Sequence, residues 1–143
     1  MKNNDQAMIS IKSQHAMNIV DGSKTVELRR RFLPMPRGSR LWIYATLPVG
    51  AIVATATIVS IEHDQTFKLW DRYRFDVAVS KELFSKYFEG CSTGYAIRMT
   101  NIEAISPVSL DRIREIRGRS HIPQVATKIS SHEASRFEQF RLS

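Results

Sequence analysis

The sequence has little that would cross-link the chain, anchor it or divide it. It contains one cysteine, Cys91, among 143 residues, so it has no internal disulfide and no cysteine pair for a zinc site. Its longest apolar run, residues 49–61, is interrupted by two threonines and a serine, and the first ten residues lack the apolar run of a signal peptide. These absences predict one soluble, untargeted domain over residues 1–143, with no membrane association, in a reducing compartment such as the cytoplasm.

A metal-binding pattern is also absent from the sequence. The histidines show no ligand spacing, and no cluster of acidic residues favours magnesium. The four histidines are His15, His63, His121 and His132. We therefore expect no metal site and no cofactor.

Positive charge, in contrast, is concentrated in one short stretch. The chain has a net charge of +7, and residues 24–40 hold six basic residues against one acid, Glu27. The basic residues are Lys24, Arg29, Arg30, Arg31, Arg37 and Arg40. Because the planar guanidinium of arginine suits phosphates and base edges better than the point charge of lysine, this stretch favours a polyanionic partner such as RNA.

Hydrophobic periodicity predicts an α+β fold. Alternating or β-branched runs predict strands at residues 7–12, 24–31, 40–45, 49–62, 94–100 and 102–108. Helical spacing predicts helices at residues 13–22, 65–73, 80–89, 109–117 and 131–141. Strands and helices do not alternate regularly, which indicates a small mixed barrel or strongly bent sheet flanked by short helices. Its core is expected at about residues 7–127, with a C-terminal tail or helix over 128–143.

The first helix and the strand after it carry more detailed predictions. Ser13 is expected to cap the helix, which buries Ala16, Met17 and Val20, and Gly22 is expected to end it in a left-handed turn.

In the strand, the period of two places Glu27 and Arg29 on one face, with Lys24, Val26 and Leu28 on the other. Glu27 and Arg29 either bind phosphates and base edges or form an ion pair on a solvated strand.

Trp42 and Tyr44 are two residues apart and share a side of their strand. They either offer a stacking platform for an unpaired base or pack in the core. Tyr95 is expected to anchor the core or the edge of a cleft.

Several motifs occur together and in one order. An SIK strand and a helix precede the pattern GxKxxExR, formed by Gly22, Lys24, Glu27 and Arg29; WIYATLPVG, SKELFSKYFEG and GYAI follow. In this order the chain resembles the ASCH family of the PUA-like superfamily from about Met8 to Leu110. A Pro123–Gln124 pair is similar to the C-terminal pattern of that family.

The resemblance implies a PUA-like β-barrel flanked by helices, with a cleft floored partly by the strand of Glu27 and Arg29. It also implies binding to RNA or association with coactivators. One bacterial branch of the family removes the acetyl group of N4-acetylcytidine with a lysine, a threonine and a glutamate, and another relative degrades RNA. Lys24 matches that lysine, whereas Glu27 stands where that branch has threonine.

The sequence therefore predicts an RNA-binding module that acts through a basic cleft. The expected contact residues are Lys24, Glu27, Arg29, Arg31, Arg37, Arg40 and Tyr44. One alternative is a metal-independent hydrolase of RNA or of a modified nucleoside such as N4-acetylcytidine, in which Lys24 and Glu27 transfer protons. Another is a protein–protein adapter in transcription, whose basic strand docks an acidic partner. The oligomeric state is left open.

Overall fold

The computed structural model describes residues 5–118 and 126–141, which contain six strands and five helices. The strands are β1 (Gln6–Ile11), β2 (Val26–Arg29), β3 (Arg40–Ala45), β4 (Ala51–Gln65), β5 (Thr93–Ser109) and β6 (Thr127–Lys128). The helices are α1 (Ser13–Val20), α2 (Thr66–Tyr73), α3 (Lys81–Tyr87), α4 (Leu110–Arg117) and α5 (Ser131–Arg141). Within these residues, every helix is too short or too polar to cross a bilayer.

All six strands form one sheet in the order β2-β5-β4-β3-β1-β6. Strands β1 and β3 are parallel, and the other neighbours are antiparallel. The predicted α+β fold is confirmed. The predicted barrel is open, since the edge strands β2 and β6 have four and two residues and do not pair with each other among the described residues.

The two long central strands are bent. Their pairing shifts register three times, between Ile52 and Ala54, between Thr55 and Thr57, and between Ile58 and Ser60; such bulges increase bending and twist. Residues 94–100 and 102–108, predicted as separate strands, are parts of the single strand β5. The break in the pattern falls at Asn101, whose φ of +51° turns the backbone locally without ending the strand.

Three apolar clusters fill the spaces around the sheet. The α1 core includes Ile9, Ile11, Ala16, Ile19, Leu41, Ile43 and Ile97. The α5 core includes Met8, Trp42, Tyr44, Ile52, Val108, Ile113 and Phe137. The α2–α3 core includes Val26, Leu28, Leu69, Tyr73, Phe84, Phe88 and Ala96. Because Trp42 and Tyr44 belong to one cluster and Ile43 to another, β3 is covered on both faces.

Helix α1 differs in two details from its prediction. Its N-cap is Lys12, without a side-chain hydrogen bond, whereas Ser13 donates its hydroxyl to the carbonyl of Thr46 in the β3–β4 loop. The buried stripe contains Ala16 and Ile19, while Met17, which was predicted to be buried, is 43% exposed. The prediction was wrong because the stripe is rotated by part of a turn, which brings Ile19 to the sheet.

Some predicted features lie outside the described residues. They are Pro123 and Gln124 of the proposed C-terminal pattern, and His121. The predicted terminal helix is confirmed as α5, and its Phe137 is fully buried against Trp42 with ring centroids 5.5 Å apart.

Candidate functional site

The turn after α1 leads the chain directly into the charged motif. Gly22 has a φ of +88°, as predicted, a conformation that side chains rarely adopt. The backbone N–H of Lys24 then donates to the carbonyl of Asn18 at 3.0 Å, so the turn folds back on the helix. Strand β2 begins two residues later and pairs with β5.

Three charged side chains of the motif meet in a buried cluster, called here the Lys24–Glu27–Arg29 cluster. Lys24 Nζ lies 3.3 Å from Glu27 Oε1, and Arg29 Nε donates to Glu27 Oε2 at 2.9 Å. The exposed fractions of the three side chains are 2%, 9% and 14%. One carboxylate is therefore shared by two cations in surroundings that exclude most water.

Backbone carbonyls complete the cluster. Lys24 Nζ donates to the carbonyl of Val77 at 2.7 Å, and Arg29 Nη2 donates to the carbonyl of Ser10 at 2.6 Å. The second bond joins β2 to β1, two strands that the sheet order separates by β5, β4 and β3. Arg29 thus bridges the open side of the bent sheet.

The alternation predicted from the sequence is confirmed within β2. Glu27 and Arg29 are hydrogen-bonded on one face, while Val26 and Leu28 pack in the α2–α3 core on the other. The prediction placed Lys24 with Val26, but its ammonium group reaches Glu27. Lys24 precedes the first residue of the strand, so strand alternation does not govern its direction.

Burial dominates the electrostatics of Lys24. Desolvation lowers the pKa of its ammonium group from the usual 10.5, and the Glu27 carboxylate opposes that shift. The cluster therefore contains a lysine that loses its proton more readily than one on the surface.

His15 on α1 is a neighbour of the cluster that sequence reasoning missed. Burial and the charge of Lys24 lower the pKa of its imidazole, and Glu27 acts in the opposite direction. Its Nδ1 is buried and has no hydrogen-bond partner among the described residues. Metal-ligand spacing gives no information about a single histidine on a helix packed over a sheet.

The other predicted contact residues do not converge on the cluster. Tyr44 lies in the α5 core on the opposite face of β3 from Ile43, and burial raises the pKa of its hydroxyl. Arg40 pairs with Glu138 of α5 and lies over the ring of Trp42, 4.5 Å from its centroid. Arg31 and Arg37 are exposed. The predicted role of these residues in RNA binding stays a prediction.

A recess of about 150 Å³ lies beside the start of β2. Its lining includes Thr25, Val26, Tyr73 and Arg98, but neither Lys24 nor Glu27. The recess is therefore separate from the Lys24–Glu27–Arg29 cluster. Within the described ranges, no group of three or more histidine, cysteine, aspartate or glutamate side chains is arranged to hold a metal ion.

Comparison with known proteins identifies relatives of this chain, although no protein-family model matches it. The ASCH domain-containing ribonuclease of Zymomonas mobilis is 36% identical over 132 residues, which cover 92% of this chain and 88% of the relative. The crystal structure of ASCH from Zymomonas mobilis has a TM-score of 0.91 at 34% identity, covering 94% of each chain.

A more distant match shares the fold alone. The N-terminal domain of Staphylothermus marinus McrB has a TM-score of 0.60 at 10% identity, over 94% of this chain and 93% of that domain. The likeness to the Zymomonas protein is much closer, in sequence as well as in fold. It shows that this chain belongs to the ASCH domain family.

Proposed function

We propose that this protein binds RNA and cleaves it. The observation that carries the proposal is the 36% identity with a protein named as an ASCH domain-containing ribonuclease, over 92% of this chain. The net charge of +7 supports it, because a basic protein attracts polyanions. A cytoplasmic location, where RNA is available, is part of the same proposal.

Phosphate binding is assigned in this proposal to arginines at the surface. Arg31 and Arg37 are exposed between β2 and β3, where a guanidinium can meet a phosphate as a two-pronged donor. Arg29 is less accessible, since only 14% of its side chain is exposed. Each phosphate neutralised by an arginine releases counterions, so affinity falls steeply as salt concentration rises.

The Lys24–Glu27 pair supplies two proton-transfer groups in contact. RNA can be cleaved when its 2′-hydroxyl attacks the neighbouring phosphorus: one group removes the hydroxyl proton, and another protonates the departing 5′-oxygen. The 3.3 Å separation and the lowered pKa of Lys24 support this role. Because Lys24 is 2% exposed, its Nζ must leave the Val77 carbonyl before it can meet a substrate.

Cleavage of a labelled single-stranded RNA, followed in the presence of a metal chelator, tests the catalytic assignment. We expect cleavage by the unmodified protein and a loss of at least about 100-fold in Lys24→Met and in Glu27→Gln, which corresponds to a proton-transfer group. Lys86→Met, a change at an exposed lysine of α3, is the matched control and should retain activity.

All variants are purified identically, because contaminating nucleases accompany basic proteins. Thermal unfolding and RNA affinity are measured beside activity. A folded Lys24→Met protein that binds RNA but does not cleave it supports the assignment. Cleavage that survives both substitutions shows that the proton-transfer groups lie elsewhere, and salt-insensitive or undetectable RNA binding rejects the wider proposal.

A further inference from the structure

Three side chains form a row across three neighbouring strands, one step outward from Glu27. Arg29 of β2 is opposite Tyr95 of β5, and Tyr95 is opposite His63 of β4. Directly opposite residues of antiparallel strands place their side chains on the same face of the sheet. The next row inward contains Glu27, Ile97 and Ile61, of which Ile97 is fully buried in the α1 core. The Arg29–Tyr95–His63 row therefore lies at the rim of this core.

The two members of the row that lie farther from β2, Tyr95 and His63, are stacked. The rings of His63 and Tyr95 are nearly parallel, with an interplanar angle of 11° and centroids 4.3 Å apart. His63 is exposed, and its Nε2 lies 3.2 Å from the Thr93 hydroxyl. The imidazole is thus held in plane by a ring on one side and a hydroxyl at its edge. A flat surface fixed in advance loses little entropy when another ring packs on it.

The ring of Tyr95 is itself supported from within. Tyr95 packs on the α1 core, and its neighbour Gly94 makes possible a close approach to Phe88, the residue that follows α3. A Cβ at Gly94 would lie 2.4 Å from a ring carbon of Phe88, so only glycine allows this contact. The start of β5 therefore packs against Phe88, and the stack rests on a strand that is paired on both sides.

The charges around the row favour an anion. Glu62 and Asp64 flank His63 in sequence, but strand alternation turns them to the opposite face. There Arg72 binds both, with its Nη1 2.6 Å from Glu62 Oε2 and its Nη2 3.5 Å from Asp64 Oδ2. On the face of the row, Glu27 is neutralised by two cations. The guanidinium of Arg29 lies at the β2 end of the row.

We propose that the His63–Tyr95 stack is a binding site for an unpaired nucleobase of single-stranded RNA, with the base lying on the imidazole of His63. The phosphate beside that base lies toward the β2 end of the row, where the Lys24–Glu27–Arg29 cluster contains two cations and one carboxylate. This inference rests on the proposed function and names its substrate class. Bases inside a duplex are covered on both faces by their neighbours, whereas unstacked bases are free to pack on aromatic side chains. The site therefore selects single strands.

Fluorescence anisotropy with a short labelled oligoadenylate tests the site. His63→Ala should weaken binding of the single strand by roughly 5- to 150-fold, the range for loss of one stacked base. His63→Phe keeps a flat ring at that position and should restore most of the affinity. Because His63 is exposed, neither change is expected to unfold the protein, which circular dichroism and thermal unfolding verify.

Two controls make the outcome specific. His132→Ala removes another exposed histidine, on α5, and should leave affinity unchanged. The same oligoadenylate annealed to its complement should bind His63→Ala and the unmodified protein equally.

Full affinity of His63→Ala for the single strand would overturn the inference and leave RNA binding intact. Failure of His63→Phe to restore binding would also overturn it, by showing that the imidazole acts through a proton or a hydrogen bond. Absence of RNA binding by the unmodified protein would instead reject the proposed function, and this site with it.

Discussion

Two groups of three charged side chains in this protein differ in both charge and surroundings. In the Lys24–Glu27–Arg29 cluster, a glutamate meets two cations, and no side chain is more than 14% exposed. In a second group, called here the Glu62–Arg72–Asp64 network, an arginine meets two carboxylates, and the side chains are 28–44% exposed. The first holds the edge strand β2 against β1, whereas the second joins α2 to the end of β4.

The difference shows how exposure to water determines what an ion pair contributes to the stability of the fold. Charges removed from water lose their hydration, so each buried partner depends on the others and removal of one leaves an uncompensated charge. Exposed charges keep most of their hydration, and solvent screens their attraction. The Lys24–Glu27–Arg29 cluster should therefore be sensitive to every substitution and the Glu62–Arg72–Asp64 network to few.

Substitution of Glu27 should have the largest effect. Glu27→Gln leaves two cations buried beside a neutral amide, which should lower the free energy of unfolding by about 3–5 kcal/mol. Urea denaturation measures the loss, and Glu62→Gln in the exposed network is the matched control, with an expected loss of at most about 1 kcal/mol. Equal losses in the two variants would contradict the comparison.

At alkaline pH, the free energy of unfolding should respond in opposite directions to Lys24 of the buried cluster and to Tyr73, which donates to Glu62 of the exposed network. Burial holds the pKa of Lys24 below 10.5, so between that lowered pKa and 10.5 the unfolded chain binds more protons at this residue, and its contribution to stability rises with pH. Burial and the Glu62 carboxylate raise the pKa of Tyr73 from 10.0 to about 12. Between those values the folded state binds more protons, and the contribution of Tyr73 falls as pH rises.

The free energy of unfolding as a function of pH checks both signs. The difference between the unmodified protein and Lys24→Met should increase toward pH 10.5, and the difference from Tyr73→Phe should decrease above pH 10. For Tyr73 the change is expected to be on the order of 1 kcal/mol after solvent screening, since about 1.4 kcal/mol corresponds to one pKa unit. For Lys24 the predicted quantity is the positive sign of the slope. A flat difference curve for either variant would show that its group does not titrate differently on folding.

The smallest effect is expected at Arg72. Arg72→Ala removes both ion pairs of the exposed network, yet the Tyr73 hydroxyl still donates to Glu62. The expected loss of stability is much smaller than that of Glu27→Gln, and it should shrink further in high salt because solvent ions screen exposed pairs. A loss as large as that of Glu27→Gln that persists in high salt would contradict the comparison.

The sequence predicted which residues of β2 share a face, but not how deeply their side chains are buried. Alternation is a local property of a strand, so Glu27 and Arg29 were correctly placed together. The carbonyls of Ser10 and Val77 that complete the cluster come from distant parts of the chain, and any residue type supplies the same group. No sequence pattern marks such partners.

Aromatic residues show the same limit. Trp42 and Tyr44 were correctly expected on one side of their strand, yet that side is covered by the α5 core. The stack of His63 on Tyr95 was not anticipated. It arises because β5 pairs with both β4 and β2, which brings residues 29, 63 and 95 into one row. Strand order depends on how the whole sheet packs, and local sequence patterns do not reveal it.

The position of β1 between β3 and β6 has a consequence for synthesis of the chain. Met8 pairs with Thr127, so a ribosome working at about 5–20 residues per second makes the partner of β1 roughly 6–24 s after β1 itself. During that interval one edge of β1 has only water or another molecule to bond, the situation in which strands from different chains join. Growth temperature and ribosome speed should therefore change the yield of soluble protein more than they change the stability of the finished fold.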